Sequence, residues 1–211
     1  MKNISSYKVA GAISIATCII GLCTAAYFNA SPRDVPTVDS QNLQVLAKAE
    51  ETLNESLRKA KLQMKQELEE IKREYTLPPE GTFEAKHSFK ELQDQLQQVQ
   101  TQKTERTANQ NKFEVQEVWY EPGYFKSDAL VQWQCAWLKS AVQNQEAGKS
   151  DEVQKAIQIL LGFKESKDIK MFPDYDRFLE DNVTPLQAGN TAPAREFLNS
   201  GYSCVAQNQL K

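Results

Sequence analysis

The sequence predicts a mostly α-helical chain made of an N-terminal transmembrane helix, a coiled-coil-like helical hairpin stalk and a small C-terminal helical bundle. Three observations carry this expectation. One stretch of 20 residues near the N-terminus has no charge, a Glu/Lys/Gln-rich region places leucines at alternating three- and four-residue steps, and the remainder shows broad apolar stripes punctuated by proline and glycine. The implied organisation is a cytoplasmic tail over 1–8, the transmembrane helix over 9–28, a linker over 29–40, the stalk over 41–110 and the C-terminal domain over 111–211.

Residues Val9 to Phe28, VAGAISIATCIIGLCTAAYF, have the length a helix needs to cross the hydrocarbon of a bilayer at about 1.5 Å per residue. Lys2 and Lys8 precede the stretch, whereas Arg33, Asp34 and Asp39 follow it. The positive-inside rule therefore puts the N-terminus in the cytoplasm and the bulk of the chain outside, as in a signal anchor of a single-pass cell-membrane protein. Tyr27 and Phe28 close the run as interfacial aromatics do. A cleaved secretory signal is the alternative, with Thr24, Ala25 and Ala26 as small residues for a peptidase. Cys18 has only a loose likeness to a lipid-modified cysteine, because Ile19 and Ile20 continue the apolar run beyond it.

Pro32 and Pro36 break the helix in the linker, since proline lacks the amide donor a helix interior requires. From Gln41 to Tyr75 the apolar residues Leu43, Leu46, Leu53, Leu57, Ala60, Met64 and Ile71 fill seven of ten a and d positions, and the exceptions are Glu50, Glu67 and Glu74. Leu77-Pro78-Pro79-Glu80-Gly81 then stops the helix. A second amphipathic stretch from Phe83 to Asn109 repeats the spacing with Phe89, Leu92, Leu96 and Val99, so the two helices are expected to fold back as an antiparallel hairpin. Folded back from Phe83, the second helix covers Tyr75 down to about Leu57 and leaves Leu43, Leu46 and Leu53 bare. Those three leucines are candidate interaction residues, for a second copy of the chain or another helix. Packing on the C-terminal domain of the same chain is the alternative.

In the C-terminal part, Pro122-Gly123 favours a type II turn. Asp128 to Ala147 reads as a central helix, with Leu130, Trp133, Trp137 and Ala141 on one face and Val131, Cys135, Leu138 and Val142 on the next. Gly148 ends it, and Ser150-Asp151-Glu152 starts another helix with Val153, Ala156, Ile157, Leu160 and Leu161 as its stripe. Phe172-Pro173-Asp174 and Thr191 with Pro193 mark two later helix starts. Two cysteines lie in the apolar span and two, Cys135 and Cys204, in the C-terminal part. In an oxidising compartment those two are expected to pair as a disulfide, the alternative being buried free thiols.

Composition narrows the function classes. Without Lys2 and Lys8, 23 basic residues face 28 acidic ones, a balance that argues against a nucleic-acid partner. The single histidine, His87, reads as a solvated loop residue, and no Cys-x-x-Cys motif, glycine-rich phosphate loop or His-Glu-x-x-His helix is present. No catalytic, cofactor or metal residues are therefore assigned. The acids Asp174, Asp176, Glu180 and Asp181 read as a solvated helix start. The aromatics around Trp133 and Trp137 read as core, with a binding platform for peptide or glycan as the alternative. Asn29, Asn54 and Asn182 match the glycosylation triplet.

The resulting expectation is a non-enzymatic, membrane-anchored envelope protein that engages the lipid bilayer through its span. It would engage a protein partner or a second copy through its stalk and domain. The alternatives are an extracytoplasmic ligand-binding or sensing domain that uses Trp133 and Trp137, and, behind it, an envelope hydrolase working with carboxylates.

Overall fold

The computed structural model of the chain describes residues 38–84, 87–105, 114–200 and Cys204. The expected tail, the transmembrane segment and nearly all of the linker lie outside the described residues. Among the described residues no helix is long and apolar enough to cross a membrane, and all regular structure is helical.

Helix α1 spans Val38–Glu74 and α2 spans Lys90–Glu105. They are followed by α3, Tyr124–Glu146, and α4, Ser150–Gly162. Two 3₁₀ turns, Phe163–Glu165 and Ile169–Met171, lead to α5, Tyr175–Phe178. A π-helical turn over Leu179–Val183 joins α5 to α6, Thr184–Gln187, and α7 spans Ala192–Asn199. The π turn has a local cause in Pro185 of α6. Proline has no amide hydrogen and its ring crowds the carbonyl four residues back, so the preceding turn widens. The Asn182 amide donates to Phe178 O at 3.0 Å across the widened turn.

The chain divides into two compact units. One holds the residues up to Ala60 together with Phe89–Trp119, the other Lys61–Ser88 together with the residues from Tyr120 onward. The division falls inside α1, because the second half of that helix is apolar on a face the C-terminal helices can use. Leu68 and Ile71 enter the same buried cluster as Leu130, Trp133, Leu138, Ile157 and Leu160.

In the first unit α2 runs antiparallel to α1, with Lys103 near its end bonded to Glu50 at 2.6 Å. That register sets Val99 level with Leu53 and Leu92 level with Ala60, and all four are buried. The expected register differs because α2 begins at Lys90, not Phe83. The shift carries α2 past Leu57, so Leu53 is covered, only 1% exposed. Phe89, at the entry to α2, has φ +50, a left-handed conformation that a bulky side chain rarely takes. A second chain segment is fixed to α2 by the Gln95 amide, which accepts from Gln116 N–H at 2.9 Å and donates to Gln116 O at 3.1 Å.

In the second unit α3 is the central helix, packed on α4, α6 and α7. Its buried side chains go well round its circumference, from Leu130 and Trp133 to Gln134 and Cys135. Phe163 stands at the hub of an aromatic cluster, with Trp133, Phe172 and Tyr175 at ring-centroid distances of 5.3, 5.5 and 4.9 Å and Tyr75 at 5.9 Å. Phe178 continues the cluster to Phe197 of α7 at 5.3 Å. Large rings let a small domain bury much apolar area with few residues. Before α3, Gly123 has φ +90 and ψ −1, as the second inner residue of a type II turn requires.

Candidate functional site

The densest polar arrangement in the second unit joins the second half of α1 to the start of α3 and to the turn before α5. Gly123 precedes α3 and has no side chain to cap it, so the first amides of that helix need an acceptor from elsewhere. Glu67 of α1 supplies it. Its Oε1 accepts from Gly123 N–H and its Oε2 from Lys126 N–H, both at 2.9 Å. One carboxylate thus does what two residues of a capping box do, and its negative charge sits at the positive end of the helix dipole. Gln63 steadies it, donating to Glu67 Oε1 at 2.8 Å and to Glu121 O at 3.0 Å.

One turn further along α1, Glu70 Oε1 lies 2.8 Å from Lys126 Nζ, and Asp168 Oδ1 lies 3.1 Å from the same nitrogen. The side chains of Lys126 and Asp168 are only 9% and 7% exposed. The other oxygen of Asp168 accepts from the Tyr75 hydroxyl at 2.8 Å. Lys167 completes the chain of alternating charge by bonding Glu74 at 2.6 Å and Glu70 at 3.4 Å.

The electrostatics mark this cluster as a clasp of mutually held charges. Burial works against the charge of Lys126, but Glu70 and then Asp168 outweigh it and hold the ammonium above its ordinary pKa. Burial first, and Asp168 after it, push the Tyr75 phenol up to about 12. The hydrogen bond from Lys126 leads the causes that hold the Glu70 carboxyl below its ordinary range. A base or nucleophile working near neutral pH needs its pKa moved toward 7, and each of these groups is moved away from it.

The sequence-predicted residues fall in separate places. Leu43 and Val45 stand on the first turns of α1, 44% and 57% exposed, and Leu46 is half-buried. Trp133 and Trp137 are 3% and 5% exposed, and both indole N–H groups donate to Thr76 O. Both rings pack in the core and hold the end of α1. Trp137 touches an open cleft of about 960 Å³, whose lining is otherwise mainly polar, with Ser140, Gln143, Asn144 and Lys139 among it. Leu53 is buried within the first unit.

Cys135 and Cys204 lie with their sulfurs 2.01 Å apart and their Cα atoms 5.7 Å apart, at disulfide geometry. The acids of the later helix start are exposed, Asp176 bonded to Lys164 at 2.6 Å and Asp181 to Arg177 at 3.4 Å. Among the described residues no three His, Cys, Asp or Glu side chains are grouped to hold a metal ion. Asn182 is buried, whereas Asn54 is exposed on α1.

Sequence reasoning missed two features. His87 is not a solvated loop residue. Its ring lies 5.1, 5.7 and 5.3 Å from those of Tyr120, Tyr124 and Phe125, and its Nε2 is 3.1 Å from the Tyr120 hydroxyl. The aromatic density of residues 119–125 was the available signal. The other is the clasp, whose signal was the glutamates interrupting the a/d pattern of α1. Neither protein-family models, nor curated proteins, nor solved structures give a match to this chain.

Proposed function

We propose that this chain is a non-enzymatic, single-pass protein of a cell envelope, held in the membrane by residues 9–28, that acts as a scaffold or interaction module. The observation that carries the reading is the start of α1. Residues 40–47 have no charge, and Leu43 and Val45 lie exposed there, in a stretch that begins twelve positions after Phe28. From Lys48 onward charges crowd the helix, as a solvated surface requires. First turns that expose Leu43 and Val45, followed by a charged shaft, are what a helix needs when its start meets another protein close to the bilayer. The partner is a second copy of the chain or a different helix.

The placement of Cys135 and Cys204 supports an extracytoplasmic C-terminal part, since disulfides persist where thiols are oxidised. The ligand-binding alternative draws less support, because the rings that would form its platform are spent on the core.

Cysteine crosslinking of the full-length protein in its own membranes tests the reading. Leu43→Cys and Val45→Cys are expected to give an adduct of defined mass under mild oxidation or with a short bifunctional maleimide, while Asn54→Cys, exposed on the shaft, does not. Three equally unreactive positions would count against an interaction at the start of α1.

A further inference from the structure

We propose that the second half of α1 is held on the C-terminal helices by an acid-labile clasp: loss of the Glu70 charge that holds Lys126 of α3 releases α1 and Thr76 from α3 before the C-terminal helices themselves unfold. The proposal concerns this fold's own conformational equilibrium and does not depend on the membrane placement.

The geometry separates the two sets of contacts. What α1 adds to the buried apolar cluster is Leu68 and Ile71, with Tyr75 and Leu77 packed at its margin. Apart from the bond of the Gln63 amide to Glu121 O, its other links are ionic or charge-assisted. Glu67 accepts two amides of α3, Glu70 and Asp168 flank the Nζ of Lys126, and Glu74 holds Lys167. A neutral Glu70 leaves the buried ammonium of Lys126 without its counter-charge from α1. The charged and titratable groups around Lys126 are thus Glu67, Glu70, Glu74 and Tyr75 from α1 and its end, and Lys167 and Asp168 from the turn before α5.

The contacts that keep the C-terminal helices together are of another kind. α3 meets α4 through Leu130, Leu138, Ile157 and Leu160, all buried, and Cys135 lies at disulfide geometry with Cys204. Neither contact depends on a carboxylate. The sign of the effect follows from Glu70, whose folded-state pKa is lowered by its partners. Its contribution is present above the ordinary carboxylate range and is lost as pH falls through the folded value.

The reporter is built into the site. Trp133 and Trp137 both donate to Thr76 O, so their emission follows the docking of the end of α1. The experiment uses the full chain carrying Trp119→Phe, which removes the exposed tryptophan. It is titrated from pH 7 toward pH 2.5 with tryptophan emission and far-ultraviolet circular dichroism recorded together. The expected result is a red shift in emission at higher pH than the loss of helix signal. Glu70→Gln, partly exposed and therefore tolerant of change, keeps the shape of the side chain but not its charge; it moves the emission midpoint upward by about half a pH unit or more and leaves the helix transition in place. Glu67→Gln, which weakens the cap that α1 supplies to α3, does the same. Coincident emission and helix transitions, or an emission midpoint unmoved in both variants, would overturn the proposal.

Discussion

Trp133 and Trp137, one turn apart on α3, give both indole N–H groups to a single acceptor, the carbonyl oxygen of Thr76, at 2.8 and 2.9 Å. A carbonyl has two lone pairs, and here both are used to pin the chain where α1 ends. The two donors share one partner, so they are energetically coupled. Trp133→Phe and Trp137→Phe are each expected to cost about 2 kcal/mol, from the lost hydrogen bond and the vacated volume. The double variant should cost measurably more than the sum, because only then is Thr76 O left without an indole donor. Urea unfolding of the four species supplies the cycle.

Glu67 is the one side chain that satisfies two leading amides of α3, and removing it orphans both. Glu67→Ala is expected to destabilise the protein by about 2–3 kcal/mol, the cost of a lost cap and unsatisfied donors. Glu69→Ala, two positions away and exposed, is expected to stay within about 0.5 kcal/mol of the parent. Equal effects in denaturant would remove the capping role.

That glutamate also shows what was legible in the sequence and what was not. The a/d pattern marks α1 as a long helix with one buried side, and the Pro-Pro-Gly turn, the Pro122-Gly123 corner and the Gly148/Ser150 junction are visible from local chemistry alone. Glu50, Glu67 and Glu74 read only as flaws in the seam. In the fold each has a partner, Lys103, the start of α3 and Lys167, and those partners lie from 53 to 93 positions away. Periodicity carries no information about such distant pairs. The same blindness moved the hairpin register, because nothing local to Phe83 says that Glu84 pairs with the Gln132 amide at 3.1 Å and stays with the C-terminal helices.

The alkaline limb of stability should be set in part by Tyr75. Its phenol ionises near 10.0 when unfolded and about 12 when folded, so between those values the folded state binds more protons and stability falls as pH rises. Tyr175, pushed up by burial, and Lys126, held up by its two acids, act in the same direction. Tyr75→Phe is expected to flatten part of the decline above pH 10 while lowering stability at neutral pH, because the bond to Asp168 is lost. Guanidinium midpoints measured from pH 7 to pH 12 check both halves of this expectation.

Joining Cys135 to Cys204 closes a loop of 69 positions. Chain-entropy arguments put the stabilisation at about 4 kcal/mol, with measured bridges usually giving about 2–4. Cys135→Ser with Cys204→Ser, or reduction of the parent, should lower the unfolding free energy by that amount. Helix content at neutral pH should be retained, since the contacts of α3 with α4 do not pass through the bridge.

The central claim is that a membrane-held N-terminal segment delivers the helical units to the outside of the cell. Its most direct test is an impermeant maleimide applied to intact cells that express the full chain with Lys149→Cys, an exposed position between α3 and α4. The account predicts labelling before lysis, of a protein that stays in the membrane pellet after an alkaline carbonate wash. A cysteine that reacts only after the cells are broken, or a labelled protein that washes into the supernatant, would contradict it.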